Sequence, residues 1–131
     1  MKVEVTLDCN DVERLADFWE RVLGYVRSPT VDGRYIALEP REQQGITLTL
    51  QHVPEPKIGK NRMHLDLLVP DLQAEVARIE SLGATRLSLA PLEQYGQRWF
   101  VMRDPEGNEF FLGLDRPRDA PEGGFCAGYM R

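Results

Sequence analysis

The chain repeats one pattern of secondary structure, and this internal duplication limits its possible folds more than any other feature. In each half an alternating strand is followed by an acidic residue, an amphipathic helix and a closing glycine. Asp11 matches Asp71 at a separation of 60 residues (71 minus 11), and Gly24 matches Gly83 at 59 (83 minus 24). Because each half continues with three further strand patterns, the duplication predicts two βαβββ modules.

The size of the modules indicates how they are organised. A unit of about 60 residues is marginal for burying a core alone, so the two modules are predicted to pack as one domain. The predicted domain covers residues 1–131, with module one at 1–53, a linker at 54–60, module two at 61–114 and an irregular tail at 115–131. The expected fold class is α+β, in which the two modules form a curved mixed sheet around a cleft, with the helices on its outer face.

Hydrophobic periodicity and turn residues predict the individual elements. Asn10 or Asp11 is expected to cap the first helix and Asp71 the second, and Gly24 and Gly83 to end them. Residues 91–96 are predicted to form a loop because Pro91 and Gly96 bound them. The predicted strands cover 3–9, 25–27, 35–39, 46–52, 64–69, 85–89, 98–103 and 108–114.

Composition excludes several classes of partner. The net charge is −5, with 16 Lys and Arg against 21 Asp and Glu, and no basic block is present. This argues against nucleic acid as a partner. No apolar run has the length of a membrane span and no signal-peptide pattern occurs, so no membrane association is predicted and the expected location is the cytoplasm. Cys9 and Cys126 are expected to be free thiols because cytoplasmic proteins rarely form disulfides.

Each helix is predicted to cover one face of its sheet. The strand residues that alternate with the helix-packing ones are then predicted to share the opposite face, which carries both polar and aromatic side chains. A sheet face that carries aromatic rings and a few polar groups is typical of a small-molecule pocket. Packing under a loop or a neighbouring subunit is the alternative. The predicted face comprises Glu4, Thr6, Asp8, Tyr35, Thr47, Thr49, Gln51, His64, Asp66, Trp99, Val101, Arg103 and Phe111.

Three segments resemble the vicinal oxygen chelate superfamily, which includes glyoxalases, bleomycin resistance proteins and extradiol dioxygenases. They are DVERLADFWERVLG at 11–24, KNRMHLDL at 60–67 and DPEGNEF at 104–110, and together with the paired modules they are similar to the bacterial glyoxalase-like subgroup. The resemblance covers about residues 2–114. It implies the paired βαβββ fold, a small-molecule ligand and a homodimer.

The resemblance also implies a metal site that this sequence only partly matches. Members typically bind a divalent metal through one residue near the start of each module and one carboxylate on each last strand. His64 and Glu4 fall at the first type of position. Phe111 falls at the carboxylate position of module two, seven residues after Asp104, and the nearest acid is Glu109. No metal cofactor is therefore expected, and a Zn, Ni, Mn or Fe ion held by His64 and Glu4 is the alternative.

Module one offers no carboxylate at the matching place on its last strand. The inward residues of that strand are predicted to be Thr47, Thr49 and Gln51. The glyoxalase, epimerase and dioxygenase activities of the superfamily all use the metal, so all three are disfavoured.

The preferred hypothesis is a binding protein of the bleomycin-resistance type for a small aromatic or cationic molecule. The alternative is an enzyme: a metal-dependent lyase, isomerase or dioxygenase with an unusual ligand set, or one that uses His64 and Asp66 as acid/base groups. Because a two-residue step along a strand spans about 7 Å, these two side chains are predicted not to form a tight dyad. His64 as a hydrogen-bonded core histidine is a further possibility. The predicted ligand-binding residues are Glu4, Asp8, Tyr35, Gln51, His64, Asp66, Trp99 and Phe111.

Overall fold

The computed structural model of the protein describes residues 2–42, 44–94 and 96–115. The predicted tail beyond Asp115, with Cys126, lies outside the described residues. The chain divides into two compact units, the first ending at Ile58 and the second beginning at Gly59. This boundary falls inside the linker that the sequence predicts at 54–60.

The first unit is one helix and a four-stranded mixed sheet. Strand β1 pairs in parallel with β4, whereas the β4–β3 and β3–β2 pairs are antiparallel, so the strand order is β1-β4-β3-β2. Its elements are β1 (Glu4–Cys9), α1 (Val12–Leu23), β2 (Val26–Arg27), β3 (Tyr35–Glu39) and β4 (Thr47–His52).

Local chemistry explains the limits of α1. The side chain of Asp11 accepts a hydrogen bond from the backbone N–H of Arg14 at 3.1 Å, which satisfies one of the donors at the helix start. Of the two predicted caps Asp11 is therefore correct. Asn10 instead donates from Nδ2 to the carbonyl oxygens of Val53 and Glu55, at 2.9 and 2.8 Å. Gly24 ends the helix in the left-handed region, at φ 66°.

The second unit repeats this arrangement with one additional strand. The strand order is β5-β9-β8-β6, β5 is parallel to β9, and β7 pairs with β8. Asp71 caps α2 by accepting from the backbone N–H of Ala74. The elements are β5 (Asp66–Val69), α2 (Leu72–Ser81), β6 (Thr85–Arg86), β7 (Leu92–Gln94), β8 (Gln97–Arg103) and β9 (Glu109–Leu114).

The structure confirms the α+β class and the two βαβββ modules, and it corrects three details, the first being that the predicted strand at 85–89 ends at Arg86. The predicted loop at 91–96 contains β7, in which Leu92 pairs with Trp99 and Gln94 with Gln97. Pro91 and Gly96 bound this short strand rather than a loop, and Gly96 has the positive φ of 74° that a tight turn requires. The predicted strand at 64–69 begins at Asp66, so His64 lies just before it.

Among the described residues, neither helix has the length and apolarity that crossing a membrane requires.

Candidate functional site

In the first unit the sheet register aligns three of the predicted ligand-binding residues in one row. Asp8 on β1 pairs with Gln51 on β4, and Gln51 pairs with Tyr35 on β3. The Gln51 Nε2 donates to the Tyr35 hydroxyl at 3.5 Å, and Tyr35 is 36% exposed. The row therefore presents a carboxylate, an amide and a phenol side by side across three adjacent strands.

Alternation of side chains separates this row from the core. Ile36 and Leu50, the neighbours of Tyr35 and Gln51 in sequence, pair with each other and are fully buried. Successive residues of a strand point to opposite faces, so the polar row lies on the face opposite to this apolar pair. We call these three residues of unit one the Asp8–Gln51–Tyr35 row.

Glu4 is on the same strand and of the same parity as Asp8, but at the other end of β1. It pairs with Thr47, and its side chain is half exposed. The Nζ of Lys2 lies 3.3 Å from its Oε1. Four residues of strand separate Glu4 from Asp8 by about 13 Å, so the two carboxylates do not act on one small group.

In the second unit His64 and Asp66 form a close hydrogen bond. The His64 Nδ1 lies 2.6 Å from the Asp66 Oδ1, and the two side chains are 16% and 18% exposed. The sequence prediction that these residues are too far apart for a tight dyad is therefore wrong. Backbone spacing sets only the Cα separation, and both side chains are long enough to close the gap from the same face.

Phe111 holds the His64 ring from the neighbouring strand. It pairs with Asp66 in the β5–β9 register, and its ring stacks on the His64 imidazole with centroids 4.2 Å apart and planes 8° from parallel. Phe111 is fully buried. The aromatic residue at the position where the resemblance implies a carboxylate thus packs against the imidazole.

Trp99 and Phe111 form a buried aromatic cluster, against which Val101 packs. Trp99 is 1% exposed and pairs with Gly113 on β9. A Cβ at Gly113 would lie 3.3 Å from Leu68 Cδ2, which is a tight contact, and 3.7 Å from Trp99 Cβ, which is an ordinary one. Phe111 packs against the His64 ring, and the contact of either aromatic ring with a ligand stays a prediction.

Lys60 and Glu109 form a pair that the sequence did not predict. The Lys60 Nζ lies 3.0 Å from the Glu109 Oε2, and the Glu109 side chain is only 10% exposed. Asn61 also donates to the Glu109 carbonyl at 3.4 Å. Lys60 and Glu109 are 49 residues apart and lie in no shared periodic pattern, so no sequence signal links them.

The side chains fit a divalent metal poorly. Within neither unit do three His, Cys, Asp or Glu side chains of the described residues come close enough to hold an ion. In unit two the β9 position next to Asp66 carries a phenyl ring, and the carboxylate of Glu109 is engaged by Lys60. Such a site lacks the three or four converging N and O ligands that divalent metals require.

Comparison with known proteins identifies relatives of the fold. A family model described as a glyoxalase-like domain matches residues 4–113. No curated protein matches the chain at a significant level. Among solved structures, a glyoxalase/bleomycin resistance protein/dioxygenase family enzyme from Burkholderia phytofirmans has a TM-score of 0.71 at 18% identity, over 85% of this chain and 95% of that one.

Two further solved structures are similar in fold. The fosfomycin resistance protein FosX from Listeria monocytogenes, complexed with Mn(II) and dihydroxypropylphosphonic acid, has a TM-score of 0.70 at 12% identity, over 84% of this chain and 86% of that one. A lactoylglutathione lyase from Agrobacterium tumefaciens has a TM-score of 0.64 at 18% identity, over 87% and 92%.

Proposed function

Because the chain belongs to the glyoxalase-like domain family, whose members share the fold described above, we propose that it binds a small aromatic or cationic molecule without a catalytic metal. The observation that carries this proposal is the Asp8–Gln51–Tyr35 row. It combines a negative charge with a partly exposed aromatic ring on one sheet face.

The chemistry of the row favours a flat cation. An exposed carboxylate attracts an ammonium or amidinium group, and a phenol ring next to it offers a cation–π or stacking contact worth about 0.5–1 kcal/mol at an exposed site. The side-chain amide of Gln51 can both donate to and accept from a polar group of the ligand. The net charge of −5 agrees with a basic ligand.

The second unit supports the same class of ligand. His64 and Asp66 are both mostly buried but reach the surface, and the imidazole stacks on the ring of Phe111 with the carboxylate hydrogen-bonded to it. In the FosX structure named above an Mn(II) ion is bound, but here the donor set leads us to propose binding without a metal. Any selectivity would then come from charge, stacking and hydrogen bonds of the protein itself.

The test is a set of matched probes that differ in charge. Benzamidinium, benzamide and benzoate have the same ring and similar size, and their binding can be followed by amide chemical shifts in ¹⁵N-labelled protein and by calorimetry. We expect benzamidinium to bind most tightly and to shift the signals of Asp8, Tyr35 and Gln51.

Variants then assign the effect to the row. Asp8→Asn is expected to weaken benzamidinium binding about tenfold, since it removes a charge-assisted contact, and Tyr35→Leu to weaken it several-fold. Glu55→Gln removes an exposed carboxylate of the same unit outside the row and is expected to have no effect. If no planar cation from a broad panel perturbs these residues, or if Glu55→Gln matters as much as Asp8→Asn, the proposal is wrong.

A further inference from the structure

We propose that Asp66 is a positioning residue that fixes His64 in the Nδ1-protonated tautomer, so that Nε2 becomes a hydrogen-bond acceptor for an N–H or O–H group of the ligand. This deepens the proposed function, on which it rests, by assigning a role to the face of the second unit. The ligand class that follows is one with a hydrogen-bond donor at this point, such as an ammonium, amidinium or hydroxyl group.

The first step of the argument is the bond between the two side chains. The Nδ1···Oδ1 distance of 2.6 Å is that of a short hydrogen bond, just below the range of about 2.7–2.9 Å for N–H···O bonds to a carboxylate. An aspartate carboxylate can only accept, so the shared proton belongs to Nδ1. A neutral imidazole carries one N–H, and its other nitrogen, Nε2, is then an acceptor.

The second step is the fixed orientation of the ring. The stack on Phe111, at 4.2 Å and 8°, defines the plane of the imidazole, and the bond to Asp66 defines its rotation within that plane. Asp66 and Phe111 are themselves held in register by the β5–β9 pairing. The direction of the Nε2 lone pair is therefore set before any ligand arrives, which lowers the entropy cost of binding.

The third step concerns the hydrogen-bond partners of Nε2 and the exposure of the His64 side chain. Among the residues that the structure describes, none forms a hydrogen bond with this atom, and the His64 side chain is 16% exposed. An acceptor on a side chain that is mostly buried has limited access to water and favours a partner that donates to it. A ligand carboxylate or phosphate oxygen offers no proton there and would also meet the carboxylate of Asp66.

Nitrogen NMR tests the tautomer directly and without a ligand. The sequence has 2 histidines, His52 and His64, so specific ¹⁵N-histidine labelling gives two assignable rings. Under mildly alkaline conditions we expect the His64 Nδ1 shift to be that of a protonated ring nitrogen and the Nε2 shift that of an unprotonated one. In Asp66→Asn the amide can donate to Nδ1, and we expect the Nε2-protonated tautomer to gain population. His52 is the internal reference and should not change.

The same variant tests the ligand class. With benzamidinium as probe, we expect the Nε2 shift of the wild-type protein to move on titration, and the affinity read from that shift to fall about tenfold or more in Asp66→Asn. Binding of benzoate, which needs a donor, should be weaker in the wild type and improve in Asp66→Asn. A purely structural role for Asp66 would weaken both probes alike, and that result would overturn the proposal. Asp8→Asn should weaken benzamidinium binding at the Asp8–Gln51–Tyr35 row without changing the tautomer of His64.

The outcomes separate this inference from the proposed function. An unprotonated Nδ1 in the wild-type protein would overturn the role of Asp66 even if benzamidinium binds at the Asp8–Gln51–Tyr35 row. Benzamidinium binding that shifts the row but leaves the His64 Nε2 signal unmoved would overturn the acceptor role and leave the proposed function standing.

Discussion

At the scale of single residues, Phe111 departs most clearly from the ligand set that the resemblance implies for the second unit. The resemblance implies a metal-binding carboxylate at this position, and the structure places there a buried ring that stacks on His64. A phenyl group offers no lone pair to a cation of charge two, and it fills the space beside the imidazole. At this position the second unit therefore offers a ring for packing and no metal ligand.

Replacing Phe111 is therefore expected to change the metal affinity of the protein. Purified, chelator-treated protein should bind Ni, Zn, Mn and Fe more weakly than micromolar. Phe111→Glu adds a carboxylate in register with Asp66 and beside His64, so we expect it to raise divalent-metal affinity at least tenfold, measured by calorimetry.

Phe111→Leu is the matched control, because it removes the ring without adding an acid. Both variants should lower the free energy of unfolding, by about 1–3 kcal/mol for Leu and more for Glu without metal, since a buried charge is costly. Wild-type binding tighter than micromolar that His64→Ala abolishes would contradict the metal-free hypothesis.

At the scale of the elements, the duplication includes an ion pair that the sequence analysis did not identify. The Arg27 Nε lies 2.7 Å from the Glu20 Oε2, and the Arg86 Nε lies 3.1 Å from the Glu80 Oε2. In each module an arginine on the short strand after the helix forms an ion pair with a glutamate near the end of that helix. The separations, 60 residues for the glutamates (80 minus 20) and 59 for the arginines (86 minus 27), match those of the caps and closing glycines.

The first module extends this pair into a cluster. Arg27 also contacts Glu13 and Asp17, at 2.8 and 2.6 Å, so one guanidinium group faces three carboxylates along one side of α1. Hydrogen bonding to Glu20 raises the pKa of Arg27 above its ordinary value, against the opposing effect of burial. A base whose folded pKa is raised contributes stability below its unfolded pKa, so this contribution is present throughout the neutral range and is lost only under strongly alkaline conditions.

Removing the guanidinium group should destabilise the helix as well as the pair. We expect Arg27→Gln to lower the free energy of unfolding by about 1–2 kcal/mol, because the carboxylates of Glu13, Asp17 and Glu20 then repel one another. Denaturant unfolding at low and high salt measures this, and the loss should shrink as salt screens the charges.

Arg98→Gln is the control for that variant. Among the described residues Arg98 pairs with the exposed Glu93 at 2.7 Å, and its loss should change stability by less than about 0.5 kcal/mol. Equal effects of the two substitutions would show that the Arg27 cluster contributes no more than an ordinary surface pair.

At the scale of the whole molecule, two compact units are joined within the predicted linker, and the exposed apolar side chains of the described residues are unevenly distributed. Leu87, Leu89 and Leu92 occur within six residues of unit two and are 44%, 89% and 43% exposed. Ile58 is as exposed as Leu89, at 88%, but follows a polar stretch that contains Glu55 and Lys57. Clustered apolar surface marks an interaction site more often than single exposed residues do.

We propose that the protein forms a homodimer and that this leucine segment, 87–92, takes part in it. Sedimentation velocity over a range of concentrations should show a dimer, and Leu89→Lys should shift it toward the monomer. Ile58→Lys is the matched control and should leave the association unchanged. A monomer at all concentrations, or equal effects of the two variants, would contradict this prediction.

The sequence by itself determined the features that depend on local periodicity. The order of strands and helices apart from β7, Asp11 and Asp71 as caps, and the two faces of each sheet follow from alternation, helical spacing and turn residues, all of which act within a few positions of the chain. For this reason the sequence alone places Asp8, Tyr35 and Gln51 on one face.

Only the tertiary structure decided which of these residues touch. The register of β1, β4 and β3 brings Asp8, Gln51 and Tyr35 into one row, and side-chain rotamers close the bond between His64 and Asp66. Strand pairing, rotamers and long-range ion pairs depend on the packing of distant segments, so no local pattern in the sequence specifies them.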